Sequence, residues 1–155
     1  YAHHPTEIKA ALAAAQALWW RGVAVFQPHR YTRTYYREEA LARSFDDADE
    51  VILTEIYPAG EQAIPGVSGE RLARLVERRL GRRVHFVPKL SEVPPLLEKL
   101  CGSGDLVLTM GAGDVHRVAR AYLEGLRATV VSIGGVCLGK TGHPGRRSPQ
   151  GQNPR

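Results

Sequence analysis

Apolar positions along this chain fall into two rhythms. Val23 to Phe26 is a run of β-branched and aromatic residues, too short for a helix and bounded by Gly22 and Pro28, and it reads as a buried strand. Val51 to Ile56, Val84 to Val87 and Leu106 to Met110 read as three more. Between these runs the spacing turns helical. His4-Pro5 opens a helix with proline at the first position, where its missing N–H costs nothing, and Ile8, Leu12, Ala15, Leu18 and Trp19 carry it to about Trp20. A second helical stretch spans Tyr35 to Phe45. Ser68 can cap a third, with Leu72, Leu75, Val76 and Leu80 on one face and Gly81 at its end. Ser91 opens a fourth that tolerates Pro94 and Pro95 only in its first turn. Asp114 can cap a fifth carrying Val115, Val118, Ala119, Tyr122 and Leu123.

Strands alternating with helices through short connections predict right-handed crossovers and a mainly parallel sheet with helices on both faces, an α/β, Rossmann-like single domain. Ligands in such sheets sit beyond the carboxyl ends of the strands, so the Phe26, Ile56 and Met110 ends mark one functional rim. Asp46 to Glu50 is a polar break, and Tyr57 to Val67, with two prolines and two glycines, is a long loop. The pattern changes after Leu126. Residues 1–126 form the domain, and 127–155 divide into an edge strand, Ala128 to Ile133, and a tail rich in Gly, Pro, Ser, Gln and Arg. Residues 142–155 are expected to be disordered or an addition peculiar to this polypeptide.

The length of 155 residues suits one core, and no apolar run reaches membrane-spanning length. With no signal peptide visible, a cytoplasmic location without membrane contact is expected. The chain begins at Tyr1 rather than Met, as a fragment cut at a domain boundary would. Cys101 and Cys137 are lone thiols far apart, which fits a reducing compartment. The formal charge of +5 is confined to the end of the chain: residues 1–126 hold sixteen basic and sixteen acidic groups, and no Asp or Glu follows Leu126. No aromatic residue follows Tyr122 either, so a nucleic-acid partner is not expected.

Candidate chemistry concentrates after the first strand. His29, Arg30 and Arg33 follow Val23–Phe26 directly, and a helix starting near Tyr31 would let both guanidiniums point at one carboxylate or phosphate. The same residues also fit a solvated loop. Gly111-Ala112-Gly113-Asp114 follows a strand and opens a helix; Gly111 and Gly113 could approach an anion or serve only tight packing, and Asp114 is most simply a cap. As a dinucleotide fingerprint the loop is incomplete, because the third glycine would fall at His116. Gly134 to Thr141 satisfies the P-loop pattern, yet Gly142-His143-Pro144-Gly145 cannot supply the helix that a P-loop needs. His3, His4 and His29 have no carboxylate or cysteine at ligand spacing, so no metal site is expected. Glu55 and Glu61 flank a flexible loop and read as solvated carboxylates.

Four collinear stretches carry a resemblance. Phe26-Gln-Pro-His-Arg-Tyr-Thr-Arg-Thr34, Tyr1-Ala-His-His-Pro-Thr-Glu7, Glu55-Ile-Tyr-Pro-Ala-Gly-Glu61 with Ile64-Pro-Gly66, and Leu108-Thr-Met-Gly-Ala-Gly-Asp114 are similar to the C-terminal domain of the Mur ligase family, in its alanine-adding branch. The resemblance covers roughly residues 1–126. It implies the amino-acid-binding domain of an ATP-dependent ligase of peptidoglycan synthesis that joins L-alanine to UDP-N-acetylmuramate, inactive by itself. ATP and Mg2+ would be held mainly by the N-terminal and central domains. It further implies His29, Arg30 and Arg33 at the alanine carboxylate, and Tyr1 and His3 at the nucleotide and interdomain face. A related ligase that reattaches a recycled peptide to the same sugar nucleotide is the alternative within the family. A dinucleotide-binding module using Gly111 to Asp114, or a nucleotidase using Lys140, are the alternatives outside it.

Overall fold

The computed structural model describes residues 1–18 and 21–132, with the side chains of 18 and 128–132 excepted. Five helices, α1 (Pro5–Leu18), α2 (Tyr31–Ala42), α3 (Gly69–Leu80), α4 (Val93–Leu100) and α5 (His116–Ser132), alternate with four strands, β1 (Gly22–Phe26), β2 (Glu50–Leu53), β3 (His85–Phe86) and β4 (Leu106–Met110). A 3-10 turn over Leu90–Glu92 leads into α4. All pairings are parallel, and the strand order is β3-β2-β1-β4. The chain moves outward from β1 to β3 and then returns to the far side of β1, so the β1/β4 seam is the point where the winding reverses. In open parallel sheets such a seam opens a crevice at the carboxyl ends.

Side-chain alternation along β1 explains the two layers. Ala24 and Phe26 join Ile8 and Leu12 of α1, Leu41 of α2, Phe45, and Leu72 and Val76 of α3 in one core. Val23 and Val25 face the opposite way, into Ile52, Val93 and Leu97 of α4, Val115, and Val118 of α5. Because β1 is fully buried from Val23 to Phe26 and hydrogen-bonded on both edges, it shows no polar alternation of its own. At the amino-terminal rim the Arg21 guanidinium donates to Asp105 at 2.6 Å, Glu50 at 3.1 Å and the Leu100 carbonyl at 3.0 Å, tying the starts of three strands together.

Most elements lie where the sequence places them. Ser68 Oγ accepts the Arg71 N–H, and Gly81 ends α3 in the left-handed region at φ 64°. Pro94 and Pro95 sit in the first turn of α4, although the helix starts at Val93 and Ser91 belongs to the preceding 3-10 turn. Three differences have physical causes. First, α2 begins at Tyr31, because Arg30 rather than a later residue supplies its cap geometry. Second, β2 ends at Leu53, since the backbone leaves the sheet where Glu55 turns to accept the N–H groups of Ile56 and Gly69. Third, the segment read as an edge strand, 128–133, continues α5 as far as Ser132; a short β-branched run cannot be told from a helical extension by composition. The tail, with Cys137 and the Gly134–Thr141 pattern, lies outside the described residues. Cys101 is a free, partly buried thiol. Among the described residues no helix is long and apolar enough to cross a membrane.

Gly69, at the start of α3, packs directly on the end of β2. A Cβ there would stand 2.2 Å from the Thr54 carbonyl oxygen and 2.9 Å from Glu55 Cα, backbone atoms that cannot swing aside. Gly69→Ala should therefore cost about 1–3 kcal/mol in urea unfolding. Gly102→Ala, with open space around its Cβ, should leave the same transition within about 1 kcal/mol of the parent. Equal behaviour of the two variants would contradict this packing.

Candidate functional site

β1 delivers four consecutive polar or cyclic residues to the rim, and each is fixed differently. Gln27 is buried; its N–H donates to the Met110 carbonyl at 3.0 Å. Its carboxamide donates to Asp114 Oδ1 at 3.0 Å and accepts the Val115 N–H at 3.1 Å, so it closes the start of α5. Asp114, read as a simple cap, thus spends its carboxylate on Gln27. Pro28 accepts the Tyr57 N–H, and the Arg30 N–H donates to the Tyr57 carbonyl, both at 2.8 Å. These two bonds prolong the β1–β2 pairing beyond the strands as a bridge between His29 and Tyr57.

Arg30 holds φ 70° and ψ 138°, a conformation that favours glycine and costs a larger residue on the order of 1–3 kcal/mol. The Tyr57 bond on one side fixes it. On the other, its carbonyl accepts the Thr34 N–H and Oγ1–H at 3.1 and 2.9 Å. Its half-exposed guanidinium lies 3.9 Å from Glu61 Oε1. Arg33, one turn into α2, differs: its Nη1 is buried with no hydrogen-bond partner. His29 Nδ1 is buried and unpartnered in the same way. An orphaned donor beside an orphaned imidazole nitrogen, on the cationic rim of a parallel sheet, is the arrangement a carboxylate would complete.

The imidazole stands in a row of rings. It stacks on Tyr57 with centroids 5.6 Å apart and planes 9° from parallel, lies 6.1 Å from His3, and His3 meets Tyr1 edge-on at 5.8 Å. Burial, then the charges of Arg33 and Arg30, hold the His29 pKa below its ordinary value of 6.5. The ring is therefore neutral at pH 7. It offers hydrogen bonding rather than a third positive charge.

Tyr1, His3, His29, Arg30 and Arg33, separate in sequence, are thus brought to one rim. His4 serves the helix instead: Glu7 accepts the N–H groups of His3 and His4 at 2.9 and 3.0 Å, and His4 Nε2 meets the Arg37 guanidinium at 2.7 Å. Gly111 and Gly113 pack closely against the exit of β1 and the loop after β2. Added Cβ atoms there would come within 2.7 Å of the Gln27 carbonyl oxygen and 2.5 Å of Gln27 Oε1, and the Tyr57 ring closes the rest, so packing accounts for both glycines.

Glu55 and Glu61, read as solvated carboxylates, are both engaged. Glu55 Oε1 accepts the Gly69 N–H at 2.7 Å, and Glu61 accepts Thr32 N–H at 3.0 Å and Thr32 Oγ1–H at 2.7 Å. Helix N-termini leave N–H groups that need acceptors, and the long loop supplies them across space. Tyr57 and Gln27 are the site residues that residue types alone did not single out, and Glu61 was read only as solvated; the signal for all three was that they fall inside resembling stretches.

The chain is thus a parallel α/β domain with two buried, unpartnered polar atoms at its carboxyl rim, beside the winding reversal. The model of the Mur ligase glutamate ligase domain matches residues 1–113, and the chain belongs to that family. It is 48% identical over 134 residues to the UDP-N-acetylmuramate--L-alanine ligase of Symbiobacterium thermophilum, covering 85% of this chain and 28% of that protein. The corresponding ligase of Geotalea daltonii is 50% identical over 128 residues, covering 82% and 28%. Among solved structures, the UDP-N-acetylmuramate-alanine ligase from Thermotoga maritima superposes with a TM-score of 0.64 at 28% identity, covering 83% of this chain and 26% of that one. The chain therefore spans about a quarter of the length of the relatives it matches.

The neutral His29 makes a pH prediction. The unfolded chain takes up this proton near 6.5, while the fold resists it to a lower pH, so the unfolded state binds more protons in the window just below 6.5. Stability should fall as the pH drops through that window. Melting curves of the parent and His29→Gln between pH 8 and 5 should diverge there, with the parent losing more on acidification; parallel curves would show that His29 titrates normally.

Proposed function

We propose that this chain is the C-terminal, amino-acid-holding domain of an ATP-dependent ligase that joins L-alanine to UDP-N-acetylmuramate. The observation that carries the reading is the pair of buried, unpartnered atoms, His29 Nδ1 and Arg33 Nη1, beside Arg30. Alanine offers what they lack: a carboxylate for the guanidiniums, on a molecule small enough to leave its amine at the mouth of the site. The relatives' names supply the co-substrates.

In the proposed reaction ATP converts the sugar nucleotide's carboxylate to an acyl phosphate, and the alanine amine attacks it. The tetrahedral intermediate then expels phosphate and leaves an amide. This domain's share is positional: it holds the carboxylate so that the amine is presented at one angle, and it closes over ATP, with Tyr1 and His3 at the closing face. In this reading Mg2+ and the ATP phosphates are held mainly by the other domains of the ligase. A ligase taking a peptide would bring no free carboxylate on its first residue. The orphaned receptor therefore favours the free amino acid.

In the full-length ligase, Arg30→Ala and Arg33→Ala should each lower kcat/KM for alanine by at least about tenfold, because a hydrogen bond to a charged group contributes about 1.5 to 3 kcal/mol. UDP-N-acetylmuramate binding without alanine should barely change. Lys replacements should restore only part of the loss, since an ammonium lacks the planar fork. A normal KM for alanine with weakened sugar-nucleotide binding would instead assign the arginines to the other substrate. The 155-residue chain alone, mixed with ATP, Mg2+, alanine and UDP-N-acetylmuramate, should release no phosphate above blank.

A further inference from the structure

Among the described residues only two that are not glycine hold a positive φ, Arg30 at 70° and Ala59 at 49°. They lie at the two ends of one contact. Ala59 and Gly60, at φ 84°, form the centre of a turn closed by the Glu61 N–H donating to the Pro58 carbonyl at 3.0 Å. That turn reverses the long loop after β2 and aims Glu61 back at α2. There its two oxygens accept both hydrogens that Thr32 offers, at 3.0 and 2.7 Å, with Arg30 Nη1 at 3.9 Å from Oε1. Strained backbone persists where surrounding structure over-determines it, and it gathers at sites that need one geometry.

We propose that Glu61 is a positioning residue of the amino-acid site: by clamping the start of α2 and steadying the Arg30 guanidinium from 3.9 Å, it fixes the angle at which Arg30 and Arg33 Nη1 meet the ligand carboxylate. The inference rests on the ligase reading above and deepens it. Without Glu61 the start of α2 and the Arg30 side chain would be less fixed, and the amine would be presented at more than one angle. Glu61 is also the one acidic group that counters Arg30, Arg33 and His3 around the His29 ring. Its loss would make the rim more attractive to any carboxylate while loosening the geometry.

That combination separates positioning from mere support. In the full-length ligase, Glu61→Gln should lower kcat by at least about tenfold without raising KM for L-alanine, a split that lost binding cannot produce. Thr32→Val, which removes the hydroxyl donor, should give part of the same loss, and the double variant should be no worse than Glu61→Gln alone. In the 155-residue chain, the imidazole of His29 followed by NMR should titrate at lower pH in Glu61→Gln than in the parent. The proposal is overturned if kcat stays within about twofold of the parent, or if KM rises in step with a lowered Tm, which marks a structural prop. It is overturned as well if the His29 titration does not move. Should Arg33→Ala leave KM for alanine unchanged, the ligase reading itself fails; should it raise KM while Glu61→Gln behaves as the parent, only the positioning role falls.

Discussion

The site depends on β1 being hydrogen-bonded along both edges. A strand paired to β2 on one side and β4 on the other, buried on both faces, has no freedom at its exit, so Gln27 to Arg30 leave the sheet from a fixed point in a fixed direction. Pairing then continues one step past the sheet through Tyr57, which both accepts from Arg30 and donates to Pro28. That step converts a flexible connection into a platform for an arginine with a left-handed backbone. Without the Tyr57 pairing on the β2 side, Arg30 would lose the bond that holds its N–H at φ 70°.

Polar accounting at helix starts ties the rest of the rim to this platform. Four of the five helices begin against an acceptor from a side chain, at widely different distances in sequence. Glu7 serves α1 from within it, and Ser68 and Glu55 serve α3. Glu61 reaches α2 from 29 residues away, and Gln27 reaches α5 from 88. The last two are joints between β-strand exits rather than local caps.

What is left unfilled is correspondingly small and cationic. Desolvation and two neighbouring guanidiniums keep His29 neutral, while Arg33 keeps a buried N–H without an acceptor. An orphaned charged donor of this kind is costly, by about 1–3 kcal/mol or more, and a protein that carries one has reserved it. The proposed amide-forming reaction gives that reserve a chemical use, with the holding domain supplying orientation and its partners supplying activation.

The sequence by itself determined the alternation of strands and helices, the parallel sheet, the rim, and the cluster His29, Arg30 and Arg33, because burial period and local turn chemistry are written in neighbouring residues. Val23 to Phe26 could be nothing but an interior strand, and Ser68 and Gly81 bound α3 from their own backbone preferences. The course of 128–132 was not legible, since a β-branched run fits strand or helix and only its continuity with α5 decides. Nor could the sequence tell a solvated Glu61 from a clamped one, or an open glycine loop from one filled by Gln27 and Tyr57. Those outcomes depend on side chains 29 to 88 residues apart meeting at one point, and on which buried polar atoms then find partners. Hydrogen-bond satisfaction is a property of the assembled rim, so only the tertiary structure could decide that Arg33, and not Arg30, keeps a buried nitrogen unpartnered.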